Sequence, residues 1–334
     1  MKVLGWLGSA TVALLIATNF PTTPARAQAP ENVTVNIFPG GFNWPSFVGQ
    51  QKGFFERNGI TVTLQPTPNS VAQMTGLAEG KFDIAMTAFD NIVAYVEGQG
   101  EAPIGPQPDF FAFMGSDSGF LSLIAAPDVL RFDDLKGKSL SVDARTTGYA
   151  FVLFDILRRN GLAEGDYKIE KVGGMAQRWD SLRERNQSAT LLSTPFNILA
   201  REQHFNQLAR ATQVIGPYQG NVAATRRTWA RENRTKVIAF IRGYAQAIDW
   251  LYDKANRKEA IVILLKNVPM SPDIAERTYD ELLNPEDGFF RKARISAEGV
   301  RTVLALRSHY SDAKKILINP LNYYDLSYYD AAMR

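Results

Sequence analysis

The 334-residue chain contains no cysteine. It therefore has no disulfide framework, no thiolate metal site and no thiol for lipid attachment. Histidine is nearly missing too: His204 and His309 are the only two, and neither sits in an HExxH pattern or another zinc spacing. His204 lies in the polar stretch Arg201-Glu202-Gln203-His204 and reads as an exposed residue. An excess of one charge is also lacking. The 37 basic and 34 acidic residues leave a net charge of +3, which offers no footprint for nucleic acid. Beyond the N-terminal segment, no apolar run reaches the roughly 20 residues that cross a bilayer as a helix. Two catalytic motifs are approached and missed. Gly115-Ser116-Asp117-Ser118-Gly119 has the glycines of a nucleophile elbow, but its central residue is Asp. Gly137-Lys138-Ser139 has the end of a phosphate loop, but the glycine needed five residues before Gly137 is Phe132. No catalytic residue, metal site or cofactor is expected.

What is present starts at the N-terminus. Met1-Lys2 is followed by an apolar run from Val3 to Ala17 and then by Ala25-Arg26-Ala27. A basic start, a short apolar core and a small-x-small step are the parts of a secretory leader. Cleavage is expected after Ala27, with residues 1–27 removed and Gln28 exposed as the new terminus. The product would be a periplasmic protein, free in its compartment and monomeric. About 307 residues then remain, which is more than one small domain needs and suits two lobes. The leader holds Lys2 and Arg26 and no acid, so the remainder is close to neutral, at about +1.

The first part alternates strand and helix. Asn32 to Phe38 alternates polar and apolar side chains and reads as a strand; Pro39-Gly40-Gly41 ends it, and Pro45 opens a helix that runs to Asn58-Gly59. Ile60 to Leu64 is the next strand. Ser70-Val71-Ala72-Gln73 has the form of a capping box for a helix ending near Gly80. Phe82 to Met86 is a third strand, with Asp90 placed to cap the helix Asn91 to Glu97. A second alternation starts past Gly115. It has strands at Gly119 to Ala126, Ser139 to Asp143, Tyr167 to Val172, Ala189 to Ser193 and Ala211 to Ile215. Helices follow Thr147, Met175 and Pro195. From Glu232 the pattern is helical, with apolar residues at helical spacing through Val237, Phe240, Ile241, Tyr244, Ile248 and Leu251. Further helices are expected at 259–266, 272–283 and 297–310. Alternation of this kind implies mostly parallel sheets flanked by helices, an α/β architecture.

Three segments carry a family resemblance. Gln51-Lys52-Gly53-Phe54-Phe55-Glu56-Arg57-Asn58-Gly59-Ile60 resembles the "GFF…-Gly-Leu/Ile" step of type II periplasmic binding proteins, in the branch serving importers of sulfonates, nitrate and thiamine-pyrimidine precursors. Gly76-Leu77-Ala78-Glu79-Gly80-Lys81-Phe82-Asp83-Ile84-Ala85 is similar to that branch's "A-L-x-x-G-x-x-D-I-A" segment, and Asp134-Leu135-Lys136-Gly137-Lys138 to its "DLKGK" step. One departure stands out: the second lobe's "G-x-x-D-A" step is replaced by Arg185-Asn186-Gln187-Ser188-Ala189-Thr190. The resemblance implies a two-lobed, type II periplasmic-binding-protein-like fold, each lobe a mostly parallel sheet flanked by helices, with a helical C-terminal tail. Residues 28–117 would form the first part of lobe I, 118–217 lobe II, and 218–334 the return to lobe I with the C-terminal helices. It further implies a solute-binding component of an ABC importer, closing on a small molecule by hinge motion and docking on a membrane permease. A soluble sensor serving a membrane receptor would share the fold. So would a pyrimidine synthase, but that branch carries a cysteine-rich motif this chain lacks.

Ligands of such sheets bind beyond the carboxyl ends of the strands, which selects the strand-to-helix loops. From the first lobe these offer Phe42, Asn43 and Trp44, then Ser70, then Thr87, Phe89, Asp90 and Asn91. The second lobe adds Arg145, Thr146, Thr147 and Tyr149, then Thr194 and Phe196, and Tyr218 follows. Free N–H groups at the helix starts suit an acidic group, and Arg145 is a candidate to pair with it, or else a solvated surface residue. The aromatics suggest a flat slot for an aromatic or heteroaromatic acid, with sulfonates as the next class, although any one of them can equally be core. Asp90 either caps its helix or accepts an N–H from a ligand.

Overall fold

The computed structural model describes Met1, Lys2, Gly5 and residues 29–334; the expected leader and its cleavage point lie outside the described residues. The chain builds two five-stranded sheets. The first contains β1 (Glu31–Ile37), β2 (Ile60–Pro66), β3 (Ile84–Ala88), β4 (Phe110–Gly115) and β10 (Asn221–Arg226), in the order β2-β1-β3-β10-β4. The second contains β5 (Ser122–Ala125), β6 (Ser139–Val142), β7 (Lys168–Lys171), β8 (Ala189–Leu192) and β9 (Asn206–Arg210), in the order β7-β6-β8-β5-β9. The orders correspond position by position. In each sheet the strand that follows a crossover, β10 or β5, runs antiparallel to both neighbours, while the β1, β2 and β3 set and the β6, β7 and β8 set pair in parallel. This is the two-lobed periplasmic-binding-protein-like fold.

Local sequence explains most elements. β1 alternates and buries Val33, Val35 and Ile37. The expected helix from Pro45 is broken in two, Trp44–Gln51 and Phe54–Arg57, because Gly53 adopts φ 66° between them. Three strands escape sequence reading, β4, β9 and β10. β4 (FFAFMG) is buried throughout and so shows no alternation; β10 (NVAATR) is built on small residues with weak strand preference. The expected strand Ala211 to Ile215 is instead a short helix, and β9 lies just before it. A five-residue apolar run does not distinguish the two by periodicity. The Ser70 capping box is also corrected. The cap is Asn69, whose side chain accepts from the Ala72 N–H at 2.8 Å, while Gln73 donates to the Met86 carbonyl at 3.1 Å.

The chain crosses between sheets from Gly115 to Ser122 and returns between Ile215 and Asn221. These two segments touch. A side chain at Gly220 would sit 2.0 Å from the Gly119 nitrogen, so nothing larger than glycine fits there. Asp117, fully buried, ties them together: one carboxylate oxygen accepts from the Gly119 N–H at 2.8 Å and from the Asn221 side chain at 3.0 Å, the other from the Ser116 hydroxyl at 2.8 Å. Burial pushes the Asp117 carboxyl up from the usual carboxylate range, against the lowering effect of these donors. The near-miss of a nucleophile elbow is thus a hinge staple.

The lobes are closed on each other. Arg307, on the helix Ala297–Tyr310, donates to the Thr146 carbonyl of the second lobe at 2.6 Å. Glu281, on the helix Pro272–Leu282 of the first lobe, accepts from Thr194 at 2.7 Å, from Asn197 at 2.6 Å and from Arg201 at 3.3 Å, all of the second. Lys171 and Glu101 form a further ion pair across the gap.

Candidate functional site

Where the lobes meet, a cavity of about 50 Å³ lies at the carboxyl ends of β1, β3, β6, β7 and β8. The first lobe contributes Phe38, Phe42, Ala88 and Asn91. The hinge contributes Gly119 and Asn221, and the second lobe Asp143, Thr147, Tyr149, Met175, Arg178 and Ser193. Two helices of the second lobe start on its wall, Gly148–Arg159 and Met175–Arg183, and aim their positive ends at it. Space of this size holds a few waters' worth of volume. A molecule much larger than this does not fit the space between the lobes as they stand.

The polar groups on the wall are largely unspent. Arg178 is 3% exposed, its Nε has no partner, and one Nη contacts the Met175 sulfur at 3.0 Å. Burial pulls its pKa down, opposed by the nearby Asp143 and Tyr149. Asp143 uses one oxygen to accept the Ser70 N–H across the lobes at 3.1 Å; its other oxygen is buried without a partner. The Tyr149 and Ser193 hydroxyls are also unpartnered. Burial raises the Tyr149 phenol well above its ordinary value, so it stays protonated. Unpaired buried polar atoms are costly, and four of them converge on one small space.

A larger depression of about 570 Å³ lies between the helices Gly148–Arg159 and Ala297–Tyr310. Its arginines are already paired: Arg145 with Glu164 at 3.2 Å, Arg158 with Asp155 at 2.8 Å, and Arg307 with Asp90. The interlobe cavity is therefore the better candidate despite its size.

The structure brings some of the sequence-selected residues together here and sends others elsewhere. Phe42, Asn91, Thr147 and Tyr149 line the cavity. Tyr218 packs on Tyr149 at 6.2 Å between ring centroids, its hydroxyl unpartnered. Thr87 accepts from the Asn91 side chain at 2.9 Å and orients it. Asn43 donates to the Phe38 carbonyl at 2.6 Å and so shapes the loop on the wall. Ser70 contributes its backbone N–H to Asp143.

Trp44, fully buried, points into the first lobe, donating to the Ala260 carbonyl at 3.0 Å and meeting Tyr279 edge-on. Phe89 is likewise core, tilted against Tyr324. Arg145 is on the surface, paired with Glu164. Thr146 donates to Glu101 at 3.2 Å, Thr194 donates to Glu281, and Phe196 lines a surface depression with Pro195 and Leu199.

Asp90 neither caps a helix nor lines the cavity. Its helix, Phe89–Val96, starts one residue earlier, after Ala88, and the carboxylate takes Arg307 bidentately at 2.8 and 2.5 Å. Gly148 makes room for it, since a Cβ there would lie 2.3 Å from the Asp90 Cβ. Thr147, at the cap position of its helix, donates instead to the Ala144 carbonyl at 2.9 Å.

Asp143 and Arg178 were not selected from sequence. Both lie where the strand-to-helix rule applies, Asp143 directly after β6 and Arg178 in the first turn after Gly173-Gly174. The signal was available in the loop rule; what hid Arg178 was its place inside a helix rather than in the loop itself.

The NMT1-like family model matches residues 26–265, most of the chain. The chain belongs to the NMT1-like family. Solved structures resembling this NMT1-like protein include the periplasmic nitrate-binding protein NrtA from Synechocystis PCC 6803. That match has 14% identity and a TM-score of 0.75, over 91% of this chain and 89% of the other. The alkanesulfonate-binding protein SsuA from Xanthomonas axonopodis pv. citri, bound to MOPS, matches with 17% identity and a TM-score of 0.70, over 88% of this chain and 96% of the other. In sequence, YtlA of Bacillus subtilis (strain 168) is 35% identical over 100 residues, which is 29% of this chain and 28% of YtlA. The NMT1-like chain thus spans about a quarter of the length of this relative.

Proposed function

We propose that this NMT1-like protein is the periplasmic, monomeric solute-binding component of an ABC importer. It captures a small organic acid or sulfonate between its lobes and presents the closed form to a membrane permease. No bond is made or broken in this cycle; the work is done by hinge closure about the Asp117 staple. The observation that carries the reading is the interlobe cavity with Arg178 buried and unpaired on its wall. A guanidinium in that position, beside two helix N-termini, favours an anionic group. Phe38, Phe42 and Tyr149 offer apolar and aromatic surface for the rest of the molecule. The names of the structural neighbours, a nitrate-binding and an alkanesulfonate-binding protein, fit an anionic cargo.

The test is a thermal-shift panel on the protein starting at Gln28, with aromatic acids, alkylsulfonates, nitrate and pyrimidines. A ligand that binds only the folded state raises the melting temperature by mass action. The acids or sulfonates are expected to shift it, and Arg178→Gln is expected to abolish the shift. A response confined to neutral or cationic pyrimidines would overturn the anion reading.

A further inference from the structure

Arg178 is not the only charged group with spare capacity on the cavity wall. The second oxygen of Asp143 is buried and unpartnered, and among the described residues neither group forms a salt bridge with the other or with anything else. Had the pair served only to hold the lobe together, the two would be expected to meet. Instead they stand apart, both facing the same space, with the Tyr149 and Ser193 hydroxyls also unspent. A purely anionic ligand would satisfy Arg178 but set its charge beside a carboxylate with an empty acceptor. A purely cationic one would do the reverse.

From this geometry we infer that the ligand is amphoteric, with an acidic group taken by Arg178 and an ammonium or ring N–H taken by the free oxygen of Asp143. The inference rests on the solute-capture reading above and narrows its substrate class. The two contacts also discriminate. A molecule lacking the N–H leaves the buried carboxylate oxygen without a partner from the ligand, and a site built to hydrogen-bond a group rejects the analogue that lacks it. The small volume of the closed cavity favours a short molecule, with few atoms between its two charged ends. Because Asp143 already receives the Ser70 N–H from the other lobe, a ligand that engages its second oxygen also draws on the closed form. Recognition of the amine and lobe closure are thereby coupled through one carboxylate.

The experiment uses matched probes on the protein starting at Gln28, by calorimetric titration: 2-aminoethanesulfonate against ethanesulfonate, and 3-aminopropanoate against propanoate. In at least one pair the amino acid form is expected to bind about tenfold or more tightly than its amine-free partner, the scale of one charged hydrogen bond. In Asp143→Asn that ratio is expected to collapse towards one. Arg178→Gln is expected to weaken both members of the pair by about a hundredfold. Circular dichroism melts of each variant separate loss of binding from loss of fold. Equal affinity within both pairs overturns the amphoteric assignment while leaving capture of an acid standing. Absence of binding by both amino-bearing probes also overturns it, and the separate ligand panel then decides whether solute capture itself survives.

Discussion

The buried pair Asp90–Arg307 allows a test in which three readings of one aspartate give different numbers. Both side chains are essentially inaccessible, at 1% and 0% exposure. The guanidinium is gripped bidentately, rests on the Phe151 ring with 4.8 Å to its centroid, and sends further donors to Gln99 at 3.1 Å and to the Thr146 carbonyl at 2.6 Å. Asp90→Ala would leave this cation buried with only neutral acceptors, and breaking a buried pair in this way costs about 3–5 kcal/mol. The two remaining acceptors place the expected loss near the lower end. If Asp90 were merely a helix cap, the loss would be about 1 kcal/mol. If it were a ligand group with no structural partner, stability would hardly change. Replacing both residues, as Asp90→Ala with Arg307→Met, removes the stranded charge. The double variant should then be destabilised by less than the sum of the singles, with a coupling of about 2 kcal/mol. Urea denaturation followed by tryptophan fluorescence gives all four stabilities. Additive single effects, or a loss below about 1 kcal/mol for Asp90→Ala, would refute the ion-pair account. Because the same arginine bonds Thr146 across the lobes, the Arg307 variant should also open the molecule, visible as a larger radius of gyration in solution scattering.

Two other substitutions separate core from cleft and closure from contact. Trp44→Ala should cost about 3–5 kcal/mol through the cavity it leaves, and the folded fraction should retain its ligand affinity; lost affinity at unchanged stability would put the indole in the binding site instead. Glu281→Ala removes the acceptor for Thr194, Asn197 and Arg201. At about 1.5 kcal/mol or more for the charge-assisted bonds, it should shift the lobes towards the open form and weaken ligand binding about tenfold without touching the cavity; scattering and titration on the same sample check both effects.

Much of this protein was legible in one dimension. Alternation in Asn32 to Phe38 and helical spacing from Val237 to Leu251 report the face each segment buries, and that face is a local property of the strand or helix. Three ordered motifs, from Gln51, Gly76 and Asp134, pointed to the two-lobed fold, and the family match covers all three. The loop rule pointed to the rim on which the interlobe cavity lies, because in a parallel strand–helix unit the carboxyl ends fall together whatever the loops contain.

Which side chains on that rim look inward was decided by packing. Trp44 and Tyr149 each sit at the start of a helix, yet one meets Ala260 and Tyr279 while the other meets the cavity. The partners that draw the indole inward lie more than two hundred residues further along the chain. Asp90 was readable as a cap from its neighbours alone. Its real partner, 217 positions further on, exists only because the helix Ala297–Tyr310 folds back between the lobes. The hinge at Asp117 and the charges of Asp143 and Arg178 have the same origin. The sequence sets what each residue is able to bond, and the sum of long-range burial decides which of those bonds is made and which is left unmade.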